Sequence, residues 1–211
     1  MSKWFCSAVA ALLLCCLAAA TGNAEVLLGA KKGLTISKFY SYHVEGEDYG
    51  FLAGFNGGFF LGFPLNPSFS LQVELLFDRR GASGQTEGAD WSYTVSYIDV
   101  PVLAKLGVSL FNGWFRPSVY GGTQFSFALN QLLDMEVSYG SDYGMPRSAL
   151  RNFDWGFVVG AEAAFQIKSY TLSIDLRYTL CLLPFLEPQY VNYQAPRLTY
   201  FSVLFGYGVR I

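Results

Sequence analysis

The chain has 211 residues, a formal net charge of −2, and a composition that is 52% hydrophobic, 18% aromatic and only 14% charged. So small a charge provides no electrostatic basis for a nucleic-acid partner and excludes that class on these grounds. Many aromatics with few charges suit a protein whose outer surface meets lipid better than one whose outer surface meets water.

In chain order, Lys3 precedes an apolar run from Trp4 to Ala20 broken only by Ser7, and Thr21-Gly22-Asn23-Ala24 follows. This reads as a secretory signal over residues 1–24, with the mature chain over 25–211. A retained membrane anchor is the alternative, but the run is at the short limit for spanning and its small-residue exit favours removal. A lipoprotein is disfavoured because Cys15 and Cys16 lack a small residue just before them. Cys6, Cys15 and Cys16 fall in the signal, so Cys181 stands alone and no intrachain disulfide is expected. Beyond the signal every apolar run is interrupted short of the roughly 18 residues that a spanning helix needs.

Eight segments alternate with period two, as strands do. The first runs from Val26 to Phe39, with Leu28, Ala30, Leu34 and Ile36 opposed to Gly29, Lys31, Gly33, Thr35 and Ser37. The second runs from Phe51 to Phe63, and the third begins at Phe69, where Phe69, Leu71, Val73, Leu75 and Phe77 oppose Ser70, Gln72, Glu74, Leu76 and Asp78. The fourth covers Trp91 to Val108 and changes parity near Tyr97. Either a bulge shifts the register there, or the upper part projects beyond the bilayer; the second reading is favoured. The fifth spans Trp114 to Phe127. The sixth and seventh, Phe153 to Ile167 and Tyr170 to Leu182, form the clearest hairpin: Trp155, Phe157, Val159, Leu172, Ile174 and Leu176 stand on one face, Glu162, Asp175 and Arg177 on the other. The eighth runs from Leu198 to Ile211. Pro101 and Pro117 each remove a ladder donor and are expected to mark bulges.

The connections alternate in length: about ten residues, five, a dozen, five, 25, two or three, and 15. Tight turns at one end and long loops at the other are the habit of outer-membrane barrels, and an even strand count puts both termini at the tight-turn end. The expected fold is therefore all-β, an eight-stranded antiparallel up-and-down transmembrane β-barrel over residues 25–211.

Orientation decides between this and a soluble barrel. With the polar face outward, the Phe, Trp, Tyr and Leu of all eight strands would overfill an eight-stranded interior. With the apolar face outward, large groups meet hydrocarbon, and inward acids and bases must pair because unpaired buried charges cost several kcal/mol each. The expected lumen network is Lys31, Glu74, Asp99, Lys105, Arg116, Glu162, Asp175, Arg177 and Arg210, with Asp78, Arg80 and Asp154 on the same parity. Lys32 falls on the lipid parity and is expected either to reach for a headgroup or to be turned inward by a register shift. Aromatics are expected at both rims, among them Phe39, Tyr40, Trp91, Tyr93, Trp155 and Tyr200 at the long-loop end, with Phe63, Phe69, Trp114, Phe115, Phe165 and Tyr170 at the other.

Three stretches carry a family likeness: Leu28-Gly29-Ala30-Lys31-Lys32-Gly33-Leu34-Thr35-Ile36-Ser37, Gly62-Phe63-Pro64-Leu65 with Phe69 to Phe77, and Tyr97-Ile98-Asp99-Val100-Pro101-Val102-Leu103-Ala104-Lys105. Together they resemble the Bacteroidetes-type outer-membrane β-barrel domain, the PorT-like barrels. That resemblance implies an eight-stranded outer-membrane barrel without an assigned activity. Gly206-Tyr207-Gly208-Val209-Arg210-Ile211 resembles the terminal strand signal read by the barrel-assembly machinery, although Ile211 stands where Phe is usual.

Catalytic chemistry is thinly represented. The sole histidine, His43, lies near Glu45, Glu47 and Asp48, a set that suits a metal or the base of a surface lipid A hydrolase, yet no serine sits at a nucleophile turn. The favoured reading has no enzyme activity, no catalytic residue, no metal and no cofactor. Its partners are outer-membrane lipids, the barrel-assembly machinery, and an envelope or secretion protein met by the external loops, with residues 128–152 as the foremost contact surface. The rival is a secreted lipocalin-like barrel carrying an apolar ligand.

Overall fold

A computed structural model describes residues 26–40, 48–86, 89–129, 134–138, 151–185 and 196–211. Ten antiparallel strands lie among them: β1 (Leu27–Tyr40), β2 (Asp48–Gly50), β3 (Leu52–Pro64), β4 (Phe69–Thr86), β5 (Ala89–Gly107), β6 (Phe115–Ala128), β7 (Asp134–Ser138), β8 (Phe153–Ile167), β9 (Tyr170–Cys181) and β10 (Arg197–Arg210). No helix among the described residues is long and apolar enough to cross a membrane.

The eight long strands close on themselves in the ring β1-β3-β4-β5-β6-β8-β9-β10, with β10 returning to β1. Closure leaves the long strands no unpaired edge. Successive partners Ile98, Phe77, Gly57, Lys32, Phe205, Ile174, Ala163 and Pro117 lead round the wall to Val108, ten residues further along β5 than the start (108 − 98). A stagger of this size in an eight-stranded barrel goes with strands tilted about 40°.

The two faces of the wall differ sharply in chemistry. Leu34 and Phe59 are 66% exposed and Phe205 57%, and they are joined outside by Leu75, Val119, Phe157, Val159, Leu176 and others in a continuous apolar belt. Inside stand Lys31, Glu74, Asp78, Arg80, Asp99, Lys105, Asp175 and Arg177, all buried. This is an inverted core, and it overturns the lipocalin-like alternative: a carrier of apolar ligands needs an apolar lumen, and the polar parity faces inward here.

Three local expectations are corrected. The dozen-residue loop after the third strand is mostly strand, because β4 and β5 continue their pairing from Phe69↔Leu106 to Thr86↔Ala89 in one register. Its Gly-Ser-rich sequence reads as loop, but cross-strand pairing extends the hairpin past the barrel. That same unbroken register removes the need for a bulge near Tyr97 and agrees with the projecting reading. Neither proline marks a bulge. Opposite Pro101 the β4–β5 ladder lacks pairs for Glu74 and Leu75 and then resumes unshifted, and Pro117 sits at the end of the β5–β6 ladder, its carbonyl accepting from Val108 N at 3.1 Å. Each missing donor falls where the ladder is already open.

The third correction concerns aromatics. Phe39 and Tyr200 belong to the lumen instead of the outer rim, and with Ala82, Val95, Tyr97, Cys181, Phe185 and Leu198 they form a buried apolar cluster. Apart from Phe185, which follows β9, each lies further toward the long-loop end than the inward charged residues of its own strand. The charged lumen is thereby roofed by an apolar lid, in which Phe39 and Phe185 meet edge to face at 5.2 Å. Outward rings do gather at the tight-turn end, where Phe165 packs on Trp114 and Phe115 and Tyr170 stacks on Tyr207. The side chains of Trp91 and Tyr93 lie outside the described residues, as do His43, Glu45 and Glu47.

Beyond the long-loop rim, β2 pairs with β4 at Asp48↔Gln85 and Gly50↔Ser83, and β7 pairs with β5 at Asp90↔Ser138 and Thr94↔Asp134. The wall therefore continues as a four-stranded sheet, β2-β4-β5-β7, raised above the barrel.

Candidate functional site in the barrel lumen

Inward parity on β1, β4, β5, β8 and β9 brings six of the expected charges into one network. Lys31 Nζ reaches Glu74 at 3.2 Å, Glu162 at 3.0 Å and Asp175 at 2.6 Å. Lys105 Nζ holds the other oxygen of Glu162 at 2.5 Å and Gln72 Oε1 at 3.0 Å. Arg177 donates through both terminal nitrogens to Glu74, at 2.6 and 3.0 Å, and to Asp175 at 2.9 Å. Three cations face three carboxylates, so the group is formally neutral, which is the condition for keeping such charges away from water.

Tyr120 completes this network. Its hydroxyl donates to Asp175 through a short hydrogen bond and accepts from Arg177 Nε at 3.2 Å. The tyrosine fits because β8 carries Gly160 beside it: a Cβ there would strike the Tyr120 ring and hydroxyl. Neither Tyr120 nor Gln72 stands out in the sequence as a site residue. The available signal was that both share the parity of the charged residues on their strands.

Asp99 lies apart, in a second cluster nearer the lid. Arg80 Nη1 donates to Asp78 at 2.7 Å, to Asp99 at 2.5 Å and to Tyr200 Oη at 3.1 Å, while its guanidinium lies over the Tyr97 ring at 4.0 Å. Gln124 donates to Asp99 at 2.8 Å and Thr35 to Asp78 at 3.2 Å. Arg116 and Arg210 stand at the tight-turn mouth, lining a cavity with Lys105 and Glu162. The nine expected residues thus divide as six, one and two.

Among the described residues no group of His, Cys, Asp and Glu is arranged to hold a metal ion. Among the described residues the six-residue network is three cations against three carboxylates, and in the second cluster Arg80 is shared by Asp78 and Asp99. Such an arrangement braces a wall and fills a lumen that eight strands make only wide enough for side chains.

Lys32 remains outward and exposed, since the β1–β10 and β1–β3 registers run without a shift past it. It stands five residues above Leu27, which at about 3.3 Å per residue and a tilt of about 40° places it roughly 13 Å above the tight-turn end, near the middle of an apolar band about 25 Å tall.

An apolar belt, aromatic girdle, closed antiparallel wall and ion-filled lumen together define a membrane-spanning β-barrel. The chain belongs to the outer membrane protein beta-barrel domain family, which matches residues 19–187, and it is accordingly an outer-membrane protein. Among curated proteins none matches the sequence. Similar solved structures include the outer membrane protein OprG from Pseudomonas aeruginosa, with 8% identity and a TM-score of 0.58, covering 89% of this chain and 96% of that one. Others are Neisserial surface protein A, with 13% identity, a TM-score of 0.46 and coverage of 87% and 97%, and AlkL in DMPC lipid bilayers, with 13% identity, a TM-score of 0.46 and coverage of 89% and 90%. At 8% identity the likeness to OprG bears on the fold alone. In this family setting the tight turns face the periplasm and the long loops face outward.

Proposed function

We propose that this chain, after removal of residues 1–24, is a non-enzymatic outer-membrane barrel that acts as an envelope scaffold and presents its external segments to a surface or secretion component. The observation that carries this reading is the raised sheet β2-β4-β5-β7, built on a wall whose lumen is filled by neutralised charge. A filled and roofed lumen is poorly suited to transport, whereas a sheet held above the rim offers a rigid surface at the position where binding loops usually sit. Assembly would proceed through the barrel-assembly machinery, with Gly206–Ile211 as the strand it reads.

Site-specific photo-crosslinking in intact cells tests this. Probes at Ser83 and Ser92 on the raised hairpin should yield a discrete protein adduct, and probes at Leu176 and Phe205 on the lipid belt should yield none of that size. Absence of any hairpin adduct, or lipid A modification lost on His43→Ala, would overturn the proposal in favour of another activity.

A further inference from the structure

Charge is divided unequally between the two faces of the wall. The carboxylates whose side chains are described, Glu74, Asp78, Asp99, Asp154, Glu162 and Asp175, all stand on the inward parity of their strands. The outward parity of β6, β8 and β9 carries no charge at all. At the seam where β10 closes on β1, by contrast, two cations face outward near the long-loop end. Arg197 is exposed, while its neighbours Leu198 and Tyr200 turn inward into the lid. Lys38 pairs in register with Thr199 and Tyr40 with Arg197, so Lys38 and Arg197 are diagonal neighbours on the outer surface. Such neighbours stand about 7–8 Å apart, close enough for two long side chains to meet at one ligand.

Aromatic rings flank the pair. Lys38 Nζ lies over the Phe51 ring at 5.0 Å, and that ring is itself 66% exposed. On the other side the Tyr40 hydroxyl reaches past β10 to donate to the Cys181 carbonyl at 2.7 Å, which fixes its ring beside Arg197. Height sets what this surface meets. Lys38 stands eleven residues above Leu27 (38 − 27), which at about 3.3 Å per residue and a tilt of about 40° is roughly 28 Å above the tight-turn end. That is the upper boundary of an apolar band about 25 Å tall, the level of the outer-leaflet headgroups. A guanidinium fork beside an ammonium matches phosphate oxygens in shape and charge, and aromatic flanks suit the boundary between headgroup and acyl chain. We infer that the β1–β10 seam is a binding site for the phosphate-bearing headgroup of an outer-leaflet lipid. The site rests on the orientation of the wall and is independent of any role of the raised sheet.

The probe is lipid A carrying both of its phosphates, with the dephosphorylated lipid as its control. Full-length protein folded in detergent micelles is titrated with each, and retained lipid is counted by native mass spectrometry. Saturable retention of the phosphorylated lipid is expected, weakened about tenfold or more in the double variant Lys38→Gln, Arg197→Gln and largely kept in Lys38→Arg. The dephosphorylated lipid should bind about tenfold more weakly or worse. Lys32→Gln, on the same strand at mid-depth, should leave affinity unchanged. Heat-modifiable gel migration confirms that each variant is folded. Equal retention of the two lipids, unchanged affinity in the folded double variant, or an equal loss in Lys32→Gln would overturn the inference. Displacement of the lipid by millimolar inorganic phosphate would also overturn it, since the site would then belong to the free anion.

Discussion

Arg177 on β9 grips Glu74 on β4 with two parallel hydrogen bonds of 2.6 and 3.0 Å. Four steps separate these strands in a ring of eight, so the pair is a strut across the full width of the lumen. Removing one partner strands a charge that the lumen cannot hydrate. Arg177→Met should therefore destabilise the barrel by about 3–5 kcal/mol in urea unfolding from lipid vesicles, and adding Glu74→Leu should recover much of that loss. A neutral single variant would mean that water reaches the pair.

Tyr120 and Gly160 are matched in the same manner, ring against missing side chain. Gly160→Val should cost about 1–3 kcal/mol by displacing the ring, and Tyr120→Phe a comparable amount by leaving an oxygen of Asp175 without its donor. The same unfolding assay reads both, and additivity in the double variant would contradict the contact.

Lys32 is the outward charge at mid-depth of the belt. Replacing it by Leu should stabilise the folded state by about 2–4 kcal/mol in vesicles, the cost of holding a lysine at the bilayer midplane. Stabilisation should vanish if Lys32 is engaged by a partner within the membrane, which a comparison between purified protein and native membranes would reveal.

The lid and the two clusters close the lumen in series. Wild-type protein in planar bilayers is expected to show no steady conductance, since ion-paired side chains fill an interior of this width. Discrete open steps would contradict the filled lumen. Leu198→Ala, within the lid, should lower stability by about 2–5 kcal/mol.

Much of this wall was legible in the sequence because a period of two states directly which side chains share a face, as on Tyr170–Cys181. What the pattern does not state is height. Glu74 and Arg177 are 103 residues apart, and only the stagger of the closed barrel brings them level. The division of the expected network into two clusters and a mouth has the same cause. An aromatic near a strand end looks alike on either parity, so Tyr200 and Phe39 read as rim residues; their neighbours Ser202 and Ser37, both buried, carry the signal that the face is inward. The raised hairpin was hidden because Gly81, Ser83 and Gly84 resemble loop residues, and their strand conformation comes from partners on β5.

The account rests on which face of the wall meets lipid. Nitroxide labels at single cysteines, introduced at Phe157, Leu176, Phe205 and Ser202 in a chain whose four native cysteines are replaced by serine, report this through relaxation by oxygen and by an aqueous nickel chelate. The first three sites should be relaxed by oxygen and shielded from nickel, with Ser202 immobile and shielded from both. Nickel access at Leu176 and Phe205 would contradict the inverted core and, with it, the membrane-spanning barrel.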